Sequence, residues 1–191
     1  METARHWYLS HAEVEIDPQR PVTDWGLSAR GRLRLEALAA CGRVPAVTRI
    51  ASSAERKAVE TAGILARALS LPVTVRADMG ENDRTSTGYL PPAEFEAMAD
   101  AFFASPEASV GGWESAAAAQ GRIVNAVAQI LRGTSGPVLF VGHGAVGTLL
   151  WCHLAGVAID RRHDQPAGGG CVFGFGGGAA PDRGWRRIED W

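Results

Sequence analysis

With 191 residues, 46% of them hydrophobic and 21% charged, the chain has the length and composition of one globular domain, residues 1–191, built on a single large core. Its formal net charge of -2 and the lack of any basic block point away from nucleic acid, and its cations are almost all arginine, with Lys57 the only lysine. Cys41, Cys152 and Cys171 are odd in number and far apart, which excludes a disulfide framework and a cysteine metal site and fits a reducing, cytoplasmic compartment.

The first element is an aromatic-rich strand, RHWYLS (5–10). Glu2, Arg5 and His6 stand where a signal peptide would need an apolar core. A proline-containing loop (16–26) leads to a helix over 27–42, with Ser28 as N-cap and Gly42 as stop. A strand over 45–53 runs into a polar turn, a helix follows over 54–70, and a third strand over 72–78. Residues 79–113 then form a polar, turn-rich insertion carrying a helix at 93–103; we expect it to act as a lid over one edge of the core. The helix over 114–133 places Ile123, Val127, Ile130 and Leu131 on one face. PVLFVGHG (137–144) is a continuous apolar run, the pattern of a strand buried on both faces. The helix after it (145–156) belongs to the longest apolar tract, Ala145–Ile159, which His153 interrupts and which is too short to span a bilayer. Two last strands, 171–176 and 185–191, close the chain.

Strands alternating with helices predict an α/β fold, a three-layer α/β/α sandwich around a mostly parallel sheet. Ligands of such sheets bind outside the carboxyl ends of the strands. Those ends carry His11, His143 and, one turn into its helix, Arg56. Two imidazoles, an arginine and helix N-termini with free N–H groups suit a phosphate. One imidazole could attack phosphorus while the other groups stabilise the equatorial oxygens.

Four segments carry a family resemblance. SHAE (10–13), followed by WGLSARG (25–31), resembles an Arg-His-Gly-Glu motif and the helix start after it. SSAERKAVETA (52–62) resembles Ser-Ser-x-x-x-Arg-x-x-x-Thr-Ala. GWES followed by Arg122 resembles Gly-Gly-Glu-Ser with a later arginine, and VLFVGHGAV (138–146) resembles the strand and second histidine. Together they resemble the histidine phosphatase superfamily, with its phosphoglycerate-mutase-like fold. The resemblance implies a phosphatase acting on a small phosphomonoester through phosphohistidine, with no metal and no cofactor. It makes His11 the nucleophile, Arg56 the phosphoryl-gripping arginine, His143 the second histidine and Glu81 the acid that protonates the leaving oxygen. Glu94 and Glu96 are rivals for that last role.

Arg5-His6 copies the letters of the motif in the wrong place, since only four residues precede Arg5 and bulky Trp7 follows His6. With His11 as nucleophile, Ser10 stands where the motif has arginine. Either catalysis is reduced or another group compensates; Arg84 is the candidate cation, Ser10 offers a hydroxyl, and Gly144 completes the substrate-binding set. Two other readings stay open. A mutase would return the phosphoryl group to a second hydroxyl, and a non-catalytic member would bind a phosphate ligand without turnover.

Overall fold

The computed structural model describes residues 4–177 and 179–191. Its strands are β1 (Arg5–Ser10), β2 (Arg49–Ser53), β3 (Val73–Arg76), β4 (Val138–Gly142), β5 (Cys171–Gly176) and β6 (Arg186–Arg187). Its helices are α1 (Ala29–Ala40), α2 (Arg56–Leu69), α3 (Pro92–Ala104), α4 (Ala116–Arg132) and α5 (Gly144–Ala155). One six-stranded sheet runs β3-β2-β4-β1-β5-β6. β3, β2, β4 and β1 are parallel, while β5 and β6 pair antiparallel at one edge. The fold is the expected α/β type.

Alternation along the strands fills two cores. Tyr8, Phe140 and Phe173 face α4 and α5, where they meet Ile123 and Leu149. Leu9, Leu139, Val141 and Val172 face α1 and α2, where they meet Leu35 and Leu65. β4 is central and wholly buried, which explains its unbroken apolar sequence. Truncating a fully buried ring such as Phe140 to alanine would cost about 3–5 kcal/mol.

Serines cap two of the helices, and Ser28 is the cap the sequence predicts. Ser28 accepts the Gly31 N–H at 3.0 Å, and Ser115 accepts that of Ala118 at 3.2 Å. Boundaries differ where local geometry intervenes. The strand expected over 45–53 begins at Arg49, after an irregular stretch containing Pro45. The helix expected from residue 54 begins at Arg56, because Glu55 is its N-cap in extended backbone. The last strand shrinks to Arg186–Arg187, since the chain tightens into a 3-10 turn at Ile188–Asp190.

Segment 79–113 is not a uniform excursion. Phe102 and Phe103 of α3, and Trp113 after it, are buried in the core with Ile123. The stretch before α3 is instead tied down by Arg122, whose guanidinium donates to the carbonyls of Asp78, Gly80 and Glu81 at 3.1, 2.8 and 3.0 Å.

Candidate active site

The strand order puts β4 between β1 and β2, so the three carboxyl ends named by the sequence lie side by side. The ladder continues one step past β1, where the His11 N–H donates to Gly142 O at 2.8 Å. His11 and His143 meet edge to face, with ring centroids 5.3 Å apart and planes at 69°. His143 is fully buried. Its backbone N–H donates to Tyr8 Oη at 3.2 Å. That hydroxyl crowds Gly142: a Cβ there would lie 2.2 Å from it, so only glycine fits.

The tautomer of His11 follows from its partner. Nδ1 lies 2.8 Å from Ala12 O, and a carbonyl only accepts, so Nδ1 carries the hydrogen and Nε2 keeps its lone pair. Burial, reinforced by the nearby Lys57 ammonium, pushes the His11 pKa down to about 4, leaving the ring neutral near pH 7. Burial likewise holds His143 well below the usual imidazole range, against the pull of Glu55. His143 Nε2 lies 2.8 Å from Ser53 Oγ and 3.4 Å from Glu55 Oε1. His143 Nδ1 is buried with no hydrogen-bond partner among the described residues.

Two carboxyl groups close the cluster. Glu81 accepts the N–H groups of Ala145 and Val146 at 3.3 and 3.0 Å. Those N–H groups open α5, so the helix terminus expected to greet an anion already holds Glu81. Burial nevertheless raises the Glu81 pKa, which favours a protonated carboxyl able to donate. Glu55 accepts the Glu81 N–H at 2.8 Å and the Lys57 ammonium at 2.5 Å. Burial pushes the Glu55 carboxyl up, but His143, Lys57 and the Glu81 N–H outweigh it and hold the pKa at about 2. Lys57 Nζ also donates to Val22 O at 2.8 Å, tying the loop before α1 to the start of α2.

A family model described as the histidine phosphatase superfamily (branch 1) matches residues 7–178. The chain belongs to the histidine phosphatase superfamily. Solved structures similar to it include the mycobacterial glucosyl-3-phosphoglycerate phosphatase, with a TM-score of 0.75, 21% identity and 96% of each chain covered. Bacillus stearothermophilus YhfR matches with a TM-score of 0.75, 22% identity and 90% of each chain covered. The alpha-ribazole phosphatase from Shigella flexneri matches with a TM-score of 0.69, 18% identity and 89% of each chain covered. At these identities the likeness is one of fold. No curated protein matches the chain.

Set against the superfamily motifs, the structure brings His11, His143 and Glu81 together and leaves Arg56 out of the cluster. Arg56 is half-exposed, and its Nε donates to Glu60 Oε1 at 2.8 Å. Neighbouring helical residues diverge by about 100°, so only one of Arg56 and Lys57 can face inward. Lys57 does, at 3% exposure. Counted from Ser52-Ser53, the motif arginine itself falls on Lys57, one residue beyond Arg56. Two signals could have found it: that count, and the fact that the chain's only lysine stands there. Glu55 was hidden because a helix starting at residue 54 places it in the first turn rather than at the cap.

Ser10 is fully buried, and its hydroxyl faces Gln165 Oε1 at 2.5 Å. Arg84 has no carboxylate partner among the described residues, and its guanidinium lies 5.0 Å over the Phe95 ring. Arg122 clamps Glu114 with two bonds, at 3.0 and 2.7 Å. Glu94 and Glu96 lie on α3, where Glu96 pairs with Arg161. A cleft of about 1110 Å³ opens above the cluster; Ser53, Glu55, Glu81 and Arg84 line it, with Arg56 at its wall. His11, Lys57 and His143 are not among its lining residues. Among the described residues no group of three His, Cys, Asp or Glu could hold a metal ion, and no helix is long and apolar enough to cross a membrane.

Proposed function

We propose that the chain is a metal-independent phosphatase that cleaves a small phosphomonoester through a phosphohistidine. The observation that carries this reading is His11: its Nδ1 hydrogen is held by Ala12 O, its Nε2 has no partner among the described residues, and its ring lies edge to face with a second buried histidine. Nε2 attacks phosphorus, and the bond from phosphorus to the ester oxygen breaks. The departing oxygen takes the proton of Glu81. Water then attacks the phosphohistidine, Glu81 takes back a proton, and phosphate leaves. Lys57 and His143 reach the cleft through Glu55, which lines it and which both contact, and the orphaned His143 Nδ1 is the kind of buried atom a ligand satisfies. Arg84 and the Gly144 backbone complete the grip on the substrate. The loop bearing Glu81, Asn82 and Arg84 walls the cleft, so we assign segment 79–113 the choice of leaving group. The similar mycobacterial phosphatase has been solved with inorganic phosphate and with VO3, which supports a phosphate-binding reading of this fold.

A second reading has its own observation. Both motif arginines are replaced, by Ser10 and Lys57, and Lys57 is already engaged by Glu55. Such a pocket could hold a phosphate ligand without turning it over. One assay separates the two. Phosphomonoesters labelled in the phosphoryl group, supplied with and without chelator, should label wild type and not His11→Ala. Equal labelling of the two proteins sinks the nucleophile assignment. Phosphate binding with neither labelling nor turnover selects the binder, and label lost on chelation refutes metal independence.

A further inference from the structure

Ser10 stands at the end of β1 where the superfamily motif has arginine, and its neighbours say what it does there. Ser10 Oγ accepts the Cys171 N–H at 3.0 Å, so its own hydrogen is free to be donated. The nearest acceptor is Gln165 Oε1 at 2.5 Å; Cys171 O is farther, at 3.3 Å. This bond fixes the sense of the amide. A hydroxyl hydrogen selects the oxygen, so the NH2 of Gln165 must face away from Ser10. It faces Gly144, where a Cβ would lie 2.3 Å from Gln165 Nε2. Gly144 follows His143 and opens α5. The Gln165 Nε2 donates to no acceptor among the described residues, whereas its backbone N–H is taken by Asp164 at 2.7 Å. Gln165 itself is only partly buried, and it sits beside Gly144, the residue after His143.

We infer that Gln165 donates a hydrogen bond to the phosphoryl oxygens in place of the missing motif arginine, and that Ser10 is the residue that orients it. The inference rests on the phosphatase reading above. It gives the serine a reason: arginine at position 10 would grip the phosphoryl group directly, whereas serine recruits an amide from the far end of the chain. It also gives Gly144 a second role, since any side chain there would displace the amide. The replacement donor is neutral, so it supplies geometry without charge.

The test compares wild type with Gln165→Met, Gln165→Glu, Ser10→Ala and the Ser10→Ala/Gln165→Met double variant. Vanadate and inorganic phosphate are the binding probes, p-nitrophenyl phosphate the substrate, and the melting temperature the control. Gln165→Met keeps the length and removes the donor; kcat/KM and vanadate affinity should fall about 10- to 100-fold, the range for a hydrogen bond to a charged group. Gln165→Glu keeps the shape and adds a negative charge, and should bind vanadate more weakly still, with an unchanged melting temperature. Ser10→Ala should reproduce the loss, and the double variant should lose no more than Gln165→Met alone. If Ser10→Ala does not fold, the two Gln165 variants decide. Wild-type vanadate affinity and kcat/KM in Gln165→Met, with His11 still labelled, overturn the inference and leave the phosphatase reading standing. A wild type that neither binds vanadate nor labels His11 overturns both.

Discussion

By the motif resemblance, the carboxyl ends of β1 and β2 align with two positions where the superfamily has arginine, and here those positions hold Ser10 and Lys57. At β1 the charge is gone: Ser10 is neutral and bonded to a neutral amide. At β2 the charge is kept but changed in kind. Lys57 is a compact ammonium, and Glu55 two residues earlier is its buried counterion. One end therefore traded charge for a positioned dipole, and the other kept its charge under a competing anion. On the phosphatase reading, an incoming phosphoryl group would meet less net positive charge than two arginines supply, and would compete with Glu55 for Lys57.

The comparison breaks first at Lys57. Lys57→Met should lower kcat/KM by about 10²–10³, the cost of one transition-state donor. Because that change also strands Glu55, the Glu55→Gln/Lys57→Met double variant should show the same loss with better expression. A Lys57→Met enzyme as active as wild type would show that the β2 end does not touch phosphate. The pH profile sharpens the β1 end. His11 must be neutral to attack, so the rate should rise as pH climbs through about 4 and lose about tenfold per pH unit below it. On the alkaline side the rate should fall as the raised Glu81 loses its proton, and Glu81→Gln should abolish that limb. A rate that falls, rather than rises or levels, as pH climbs through this range would remove His11 from the nucleophile role.

Glu55→Gln should move binding the other way. Removing the competing carboxylate should tighten vanadate by about tenfold, read by calorimetry; weaker binding would make Glu55 a support rather than a competitor. Arg56→Ala should do least. Its guanidinium is spent on Glu60 at the cleft wall, and such exposed pairs contribute about 1 kcal/mol or less. A loss exceeding that of Lys57→Met would restore Arg56 to the phosphate site.

Much of this layout was legible in the sequence, for reasons that differ by residue. β4 announced itself because a strand covered on both faces needs no polar alternation. α4 was readable from its 3.6-residue stripe of Ile123, Val127, Ile130 and Leu131. His11 and His143 followed from being at strand ends. Arg56 was misplaced because a one-residue offset, invisible in a string of letters, is a turn of about 100° on a helix. Gln165 was illegible for another reason. It lies in a loop 155 residues from Ser10, and only the pairing of β5 beside β1 brings the two together. The lid was half legible. Polarity identified residues 80–92 as loop, but Phe102 and Phe103 fix α3 to the core.

Lys57 has a consequence for chemistry at the bench. It is the chain's only lysine, so it is the only side-chain amine an acylating reagent can find. It is also 3% exposed and bonded to Val22 O, so reagent reaches it only when that loop lifts. The rate at which this one amine is modified is therefore a covalent clock for the opening of the pocket, and phosphate should slow it.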